Sequence, residues 1–198
     1  MRKYISLNNS VIFLIYFFPI SILFGNFVIN FNLLLCSILF VFIFIKHEKL
    51  KNYFSIELFL IFLFILINIL SDLFLERPNS YKSIGLLRFL LFGLCVNYYF
   101  SNKLIDKIKY QKYILLIIFF VCIDATIQSL FGSNLLGIKK EAVYLSGVFG
   151  EEKILGSYVS KILIFSLPFL FEKFNIKKFS FLILIFFIIL QTTERTGL

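Results

Sequence analysis

Apolar residues fill most of this chain in long runs, and short polar segments separate them. Each run is close to the roughly 20 residues that a helix needs to cross a bilayer. The runs fall at Val11–Val28, Phe31–Ile45, Phe54–Phe74, Ile84–Phe100, Tyr113–Phe131, Ile154–Phe171 and Phe179–Gln191. Little more than Asn30 separates the first two runs, which predicts a tight hairpin there. The pattern predicts an all-α membrane protein of about seven transmembrane helices, with residues 1–198 forming one transmembrane domain.

The composition supports the same class of protein. Hydrophobic residues make up 60% of the chain, charged residues make up 16%, and the mean hydropathy is +0.95. This leaves too few polar side chains to cover a soluble globule. With seven spans, the length leaves no room for a separate soluble domain.

The distribution of positive charge predicts the orientation in the membrane. Alternate loops, starting from the N-terminus, carry twelve lysines and arginines, whereas the opposite loops carry five. Because positive residues accumulate in cytoplasmic loops, we expect a cytoplasmic N-terminus and an extracytoplasmic loop over residues 132–153. The net charge of +9 is explained by this topology and implies no nucleic-acid partner.

Polar and ionisable residues inside the predicted spans are candidates for function. Arg88, Asp124, Gln128 and Lys161 all lie toward the predicted extracytoplasmic side. Asp124 and Gln128 are four residues apart and therefore share one helix face. If the four side chains line a common cavity, the cations Arg88 and Lys161 would suit the binding of a lipid-linked pyrophosphate. In the alternative interpretation, Arg88 and Lys161 extend to lipid phosphates and Asp124 only stabilises helix packing.

Other chemistries lack support in the sequence. The single histidine, His47, lies in a lysine-rich loop, and no cluster of His, Cys and carboxylate residues has metal-binding spacing. Cys36, Cys95 and Cys122 lie inside apolar runs and predict neither a disulfide nor a metal site. No nucleotide-binding or hydrolase motif is present. We therefore expect no cofactor.

Three motifs in the last third of the chain occur in a characteristic order. They read Asp124-x3-Gln128-x3-Gly132-x-Asn134-x2-Gly137, then Ser146-Gly147-x-Phe149-Gly150-Glu151-Glu152 with Ile154-Leu155-Gly156-x-Tyr158, and finally Glu194-Arg195-Thr196. Together they resemble the O-antigen ligase/O-antigen polymerase family of bacterial inner-membrane proteins. The resemblance covers about the last 75 residues in motif and the remainder only in hydropathy.

The resemblance implies a multi-pass glycosyltransferase that acts on an undecaprenyl-pyrophosphate-linked glycan at the periplasmic face. The acceptor would be another glycan or a lipid A core, and membrane lipid would surround the protein. In such a mechanism Arg88, Lys161 and Arg195 would neutralise the pyrophosphate leaving group. Glu151 or Glu152 would orient the acceptor hydroxyl or its base.

The sequence also departs from the family pattern. Many relatives carry an Arg before the Ser-Gly pair and Asp-Glu after Phe-Gly, where this chain has Tyr144-Leu145 and Glu151-Glu152. The family usually continues through further spans and a large periplasmic loop, so we expect this chain to be the N-terminal part of a longer protein. A flippase or transporter of lipid-linked glycan, and an inactive truncated remnant, are the alternative functions.

Overall fold

The computed structural model describes residues 2–46, 56–74, 83–140, 144–150, 154–172 and 175–192. Within these ranges the chain forms seven α-helices: α1 (Arg2–Ser21), α2 (Asn26–Lys46), α3 (Ile56–Phe74), α4 (Leu87–Ser101), α5 (Lys107–Phe131), α6 (Leu155–Glu172) and α7 (Ile176–Gln191). Short 3-10 turns occur at Ile22–Phe24, Ile84–Leu86 and Gly147–Phe149. One isolated antiparallel bridge joins Ser133 and Lys139. The described part of the chain is therefore all-helical, as predicted.

Among the described residues, three helical segments are long and apolar enough to cross a membrane: Leu7–Phe24, Asn26–Ile43 and Lys107–Phe131. Four other apolar stretches run for 10–17 residues, at Phe59–Asp72, Leu87–Ser101, Leu155–Phe171 and Lys178–Gln191. The lengths and compositions of these helices are compatible with a membrane protein that has three candidate spans. The count of seven spans and the cytoplasmic N-terminus stay predictions.

The turn between the first two helices lies at Gly25, so the prediction of a turn near Asn30 is wrong. Gly25 has φ +90°, a backbone conformation that favours glycine, and its N–H donates to the carbonyl of Ile22 at 3.3 Å. Asn30 lies inside α2. Both flanks of the turn are apolar, so hydropathy cannot mark its position, whereas the single glycine does.

The chain divides into two compact units, Met1–Asp106 and Lys107–Leu198. In the first unit α1 packs on α2, α2 on α4, and α3 on α4. In the second unit α5, α6 and α7 pack on one another around Ile118, Leu155 and Ile185. The boundary falls in the polar segment of residues 101–107, which is one of several polar segments between the apolar runs and does not by itself predict the division.

The helices expose much apolar surface. In α3 the only buried residue among the described side chains is Ile65 at 4% exposure, whereas Phe59, Phe64 and Ile67 are each more than half exposed. Exposed apolar surface of this extent is unusual on a soluble monomer and normal on a helix in contact with lipid.

Candidate functional site

Four polar side chains are buried together where α5 ends and the following loop folds back. They are Asp124, Gln128, Asn134 and Ser146, with exposures of 3%, 0%, 5% and 5%. We call these four residues the polar cluster. Burying polar groups is unfavourable unless they are hydrogen-bonded, so the arrangement of their partners decides what the polar cluster does.

Asn134 is the centre of the polar cluster. Its Nδ2 donates to Oδ2 of Asp124 at 3.1 Å and to the carbonyl of Gly147 at 2.9 Å. Its Oδ1 accepts from the backbone N–H of Leu136 at 3.0 Å and of Ile138 at 2.8 Å. Because an amide side chain offers two donor hydrogens and two acceptor lone pairs, Asn134 uses its full capacity.

Gln128 joins the two described segments of the loop in the same way. Its Oε1 accepts from the N–H groups of Ser146 at 3.1 Å and of Gly147 at 2.7 Å. Its Nε2 donates to the carbonyl of Ile138 at 3.3 Å and to Oγ of Ser146 at 3.2 Å. One side chain of α5 thus connects residues 132–140 with residues 144–150.

Asp124 completes the arrangement from one turn earlier in α5. Its Oδ1 accepts from the N–H of Leu135 at 3.0 Å, while its Oδ2 accepts from Asn134. The predicted common face of Asp124 and Gln128 is confirmed, since both side chains reach the same loop. The two residues bind backbone and amide groups of the loop, which gives them a positioning role beside the predicted contact with substrate.

The backbone conformation favours glycine where the loop passes over α5. Gly147 has φ +55°, and a Cβ atom at this position would lie 3.4 Å from the Cδ atoms of Leu155 and 3.7 Å from Oδ2 of Asp124, which are ordinary van der Waals contacts. The positive φ, which glycine adopts without steric cost, is therefore what favours glycine here. The local backbone conformation therefore explains why glycine follows Ser146 in the sequence motif.

The polar cluster fixes the chain immediately before the predicted catalytic residues. The N–H of Phe149 donates to the carbonyl of Ser146 at 3.2 Å, and the Phe149 ring lies 5.2 Å from the Tyr158 ring of α6. Gly150 follows, and Glu151 and Glu152 come next in sequence. Glu151, Glu152 and Arg195 lie outside the described residues, so their predicted roles stay predictions.

The two remaining predicted substrate-binding residues, Arg88 and Lys161, do not belong to the polar cluster. Lys161 is an exposed residue of α6 and makes no hydrogen bond or ion pair with the described part of the chain. Arg88 belongs to the first unit, whereas Lys161 belongs to the second. A cavity shared by Arg88 and Lys161 stays a prediction.

Arg88 has a distinctive environment at the start of α4. Its Nε atom is buried and has no hydrogen-bond partner among the described residues. Its guanidinium carbon lies 5.1 Å from the ring centroid of Phe89, a cation–π distance. Its backbone carbonyl accepts from Oγ of Ser37 on α2 at 3.2 Å. Arg88 is half-buried, and a guanidinium whose buried Nε donor is unused can bind an anionic oxygen.

Two features of the structure were not predicted from the sequence. No role was assigned to Asn134, although the position of this residue between Gly132 and Gly137 is typical of a turn that an Asn side chain stabilises. The cysteines were also treated as unrelated, whereas Sγ of Cys36 on α2 lies 3.6 Å from Sγ of Cys95 on α4.

Within the described ranges, no group of three or more His, Cys, Asp or Glu residues is arranged to hold a metal ion. The sequence matches no family model, and comparison with curated proteins and with solved structures finds no similar protein.

Proposed function

We propose that this protein is a membrane glycosyltransferase of the O-antigen polymerase or ligase type. The donor would be an undecaprenyl-pyrophosphate-linked glycan, and the acceptor would be a second glycan or a lipid A core. The observation that supports the proposal is the convergence of the first two motifs. Residues spread from Asp124 to Gly147 meet in one hydrogen-bonded arrangement that holds the loop before Glu151 and Glu152.

In the proposed reaction an acceptor hydroxyl attacks the anomeric carbon of the donor. A new glycosidic C–O bond forms, and the bond to the pyrophosphate oxygen breaks. Negative charge develops on the leaving pyrophosphate, where Arg88, Lys161 and Arg195 would neutralise it. Glu151 or Glu152 would orient the attacking hydroxyl or the base that accepts its proton. The proposed location is the periplasmic face of the bacterial inner membrane.

Reconstitution tests this function directly. The protein in liposomes is supplied with undecaprenyl-pyrophosphate oligosaccharide and an acceptor, and the products are resolved by glycan electrophoresis and mass spectrometry. New glycosidic bonds are the expected result. Translocation of intact lipid-linked oligosaccharide without bond formation would support a flippase instead, and the absence of both activities would contradict the proposal. In the bacterium, deletion of the gene should change the length or attachment of surface glycan.

The proposed topology has its own test at the two ends of α5. Single cysteines replace the exposed Lys107 and the exposed Leu136 in a background without the native cysteines. A membrane-impermeant maleimide added to intact spheroplasts should label the Leu136→Cys protein and leave the Lys107→Cys protein unlabelled until the membrane is opened. Labelling of both proteins in intact spheroplasts would contradict the orientation.

A further inference from the structure

An apolar groove lies at the opposite end of the second unit from the polar cluster. Its volume is about 360 Å³, within the range of roughly 300–1,000 Å³ that is common for small-molecule sites. The groove runs among three helices, and the residues that define it are Leu115, Leu116 and Phe119 of α5, Phe169 of α6, and Lys178 and Phe181 of α7.

Two lysines lie at one end of this groove, around the ring of Phe169. Nζ of Lys178 donates to the carbonyl of Phe169 at 2.9 Å and lies 4.6 Å from the centroid of its ring. Nζ of Lys112 lies 5.6 Å from the same centroid. Neither lysine forms an ion pair with a carboxylate in the part of the chain that the structure describes.

This arrangement favours an anion at the Lys178 end of the groove. Each ammonium has three donor hydrogens, and Lys178 uses one of them on the carbonyl of Phe169. A phosphate beside Lys178 would accept charge-assisted hydrogen bonds from its remaining donors, and the positive charge of Lys112 near the same ring would add to the attraction.

The position of the groove along the helices matches an amphiphile. Lys112 lies near the start of α5, Phe169 near the end of α6, and Lys178 near the start of α7, so the cations mark one end of the three-helix unit. The apolar side chains begin at Leu115 and continue to Phe119, one turn further along α5. Lys112 and Asp124 are twelve positions apart, which corresponds to roughly 18 Å along a helix. The groove is thus separate from the polar cluster.

We infer that this groove binds an anionic phospholipid. Its phosphate lies at Lys178, on the side of the groove where Lys112 also approaches Phe169, and an acyl chain lies along Leu116 and Phe119. Charge complementarity selects this occupant, because an apolar groove with positive charge at one end, and no described carboxylate paired with it, matches a molecule with an anionic head and a hydrocarbon tail. The inference does not depend on glycosyl transfer.

Native mass spectrometry of the detergent-purified protein tests the inference without any mutation. The probes are phosphatidylglycerol and phosphatidylcholine with the same acyl chains, titrated separately. The wild-type protein should bind the first phosphatidylglycerol about tenfold more tightly than phosphatidylcholine, as expected for one charge-assisted hydrogen bond. Equal affinity for the two lipids would overturn the inference. Competition by water-soluble glycerol phosphate at the same concentration would indicate a site for free phosphate and would also overturn it.

Three variants locate the site. Lys178→Gln should lower the affinity for phosphatidylglycerol to that for phosphatidylcholine, a loss of about tenfold. Lys107→Gln is the matched control, because Lys107 lies near the same end of α5 and does not line the groove; its effect should be below about twofold. Leu116→Trp fills the groove, keeps both charges and should abolish the selective lipid adduct. A dimer that forms with no bound lipid and is dissociated by Leu116→Trp would show that a second copy occupies the groove.

Discussion

The buried polar side chains of the two units differ in how fully they are hydrogen-bonded. In the second unit, Asn134 and Gln128 use every donor and acceptor of their amide groups. In the first unit, Asn32 is 2% exposed and donates to the carbonyl of Leu14 at 3.2 Å, but its Oδ1 has no partner among the described residues. The Nε atom of Arg88 is likewise buried and has no hydrogen-bond partner among the described residues.

Buried polar side chains therefore have different roles in the two units. In the polar cluster, the amide groups of Asn134 and Gln128 use their full hydrogen-bonding capacity to hold the loop in one conformation. An unsatisfied buried donor costs about 1–3 kcal/mol, a cost that a bound group can remove. The second unit thus supplies a positioned loop, and the first unit supplies, in Arg88, a side chain that can bind an anion.

The largest expected effect is the loss of the centre of the polar cluster. Asn134→Ala leaves the N–H groups of Leu136 and Ile138 and the carbonyl of Gly147 without their partner. We expect the free energy of unfolding to fall by about 2–4 kcal/mol, measured by thermal unfolding in detergent.

The control for Asn134→Ala is Asn102→Ala. Asn102 is exposed, and its Nδ2 donates to the carbonyl of Tyr98 at 2.9 Å. We expect this change to alter the unfolding free energy by less than about 0.5 kcal/mol. Equal effects of the two substitutions would mean that saturation of the polar cluster does not stabilise the second unit.

The second-largest effect concerns Arg88, whose buried Nε has no hydrogen-bond partner among the described residues. Arg88→Gln should weaken binding of a lipid pyrophosphate by about tenfold to a hundredfold, the loss of one charge-assisted hydrogen bond. Arg88→Lys should restore binding only in part, since Lys lacks the planar fork of the guanidinium. Binding is measured by titration of undecaprenyl pyrophosphate into the reconstituted protein.

If Arg88 only extends to lipid headgroups, Lys would replace it almost fully and Gln would chiefly reduce membrane insertion. Insertion is therefore measured in parallel by carbonate extraction. Identical pyrophosphate affinity for wild type, Arg88→Lys and Arg88→Gln would remove Arg88 from the proposed site.

A smaller effect is expected from the glycine that lies over α5. Gly147→Ala forces a non-glycine residue into φ +55° and should cost about 1–2 kcal/mol of unfolding free energy. Gly85→Ala in the first unit is the control, because Gly85 has no positive φ and no atom within 4 Å of a Cβ at that position. A melting temperature as high for Gly147→Ala as for Gly85→Ala would contradict the conformation assigned to the loop.

The sequence predicts the helices of this protein better than it predicts their contacts. Apolar runs mark each helix because burial and lipid exposure both demand apolar side chains, and the spacing of Asp124 and Gln128 places them on one face by helix geometry alone. The role of Asn134 depends on how the loop returns to α5, which no local pattern encodes. The turn at Gly25 was missed because the apolar pattern continues through it.

The contact between Cys36 and Cys95 was not predicted because 59 positions separate the two residues, and no local pattern indicates such a contact. Their contact provides the last prediction, which tests the α2–α4 packing on which the environment of Arg88 depends. The sulfur atoms lie 3.6 Å apart, and a disulfide needs an S–S distance of about 2.05 Å, so a small approach suffices. Iodine should oxidise the two thiols to one disulfide, with two thiol hydrogens released as hydrogen iodide. We expect no large change in stability.

The measurement is the number of thiols that react with a polyethylene-glycol maleimide after denaturation. The chain contains three cysteines, so untreated protein should gain three labels and oxidised protein one, on Cys122. In the Cys36→Ser protein, two thiols should react before and after oxidation, because the thiol that lies beside Cys95 has been removed. If all three thiols of the wild type still react after complete iodine treatment, α2 and α4 do not pack in this register. The contact between Ser37 and the Arg88 carbonyl would then be lost, and with it the contrast between an unsatisfied first unit and a saturated second one.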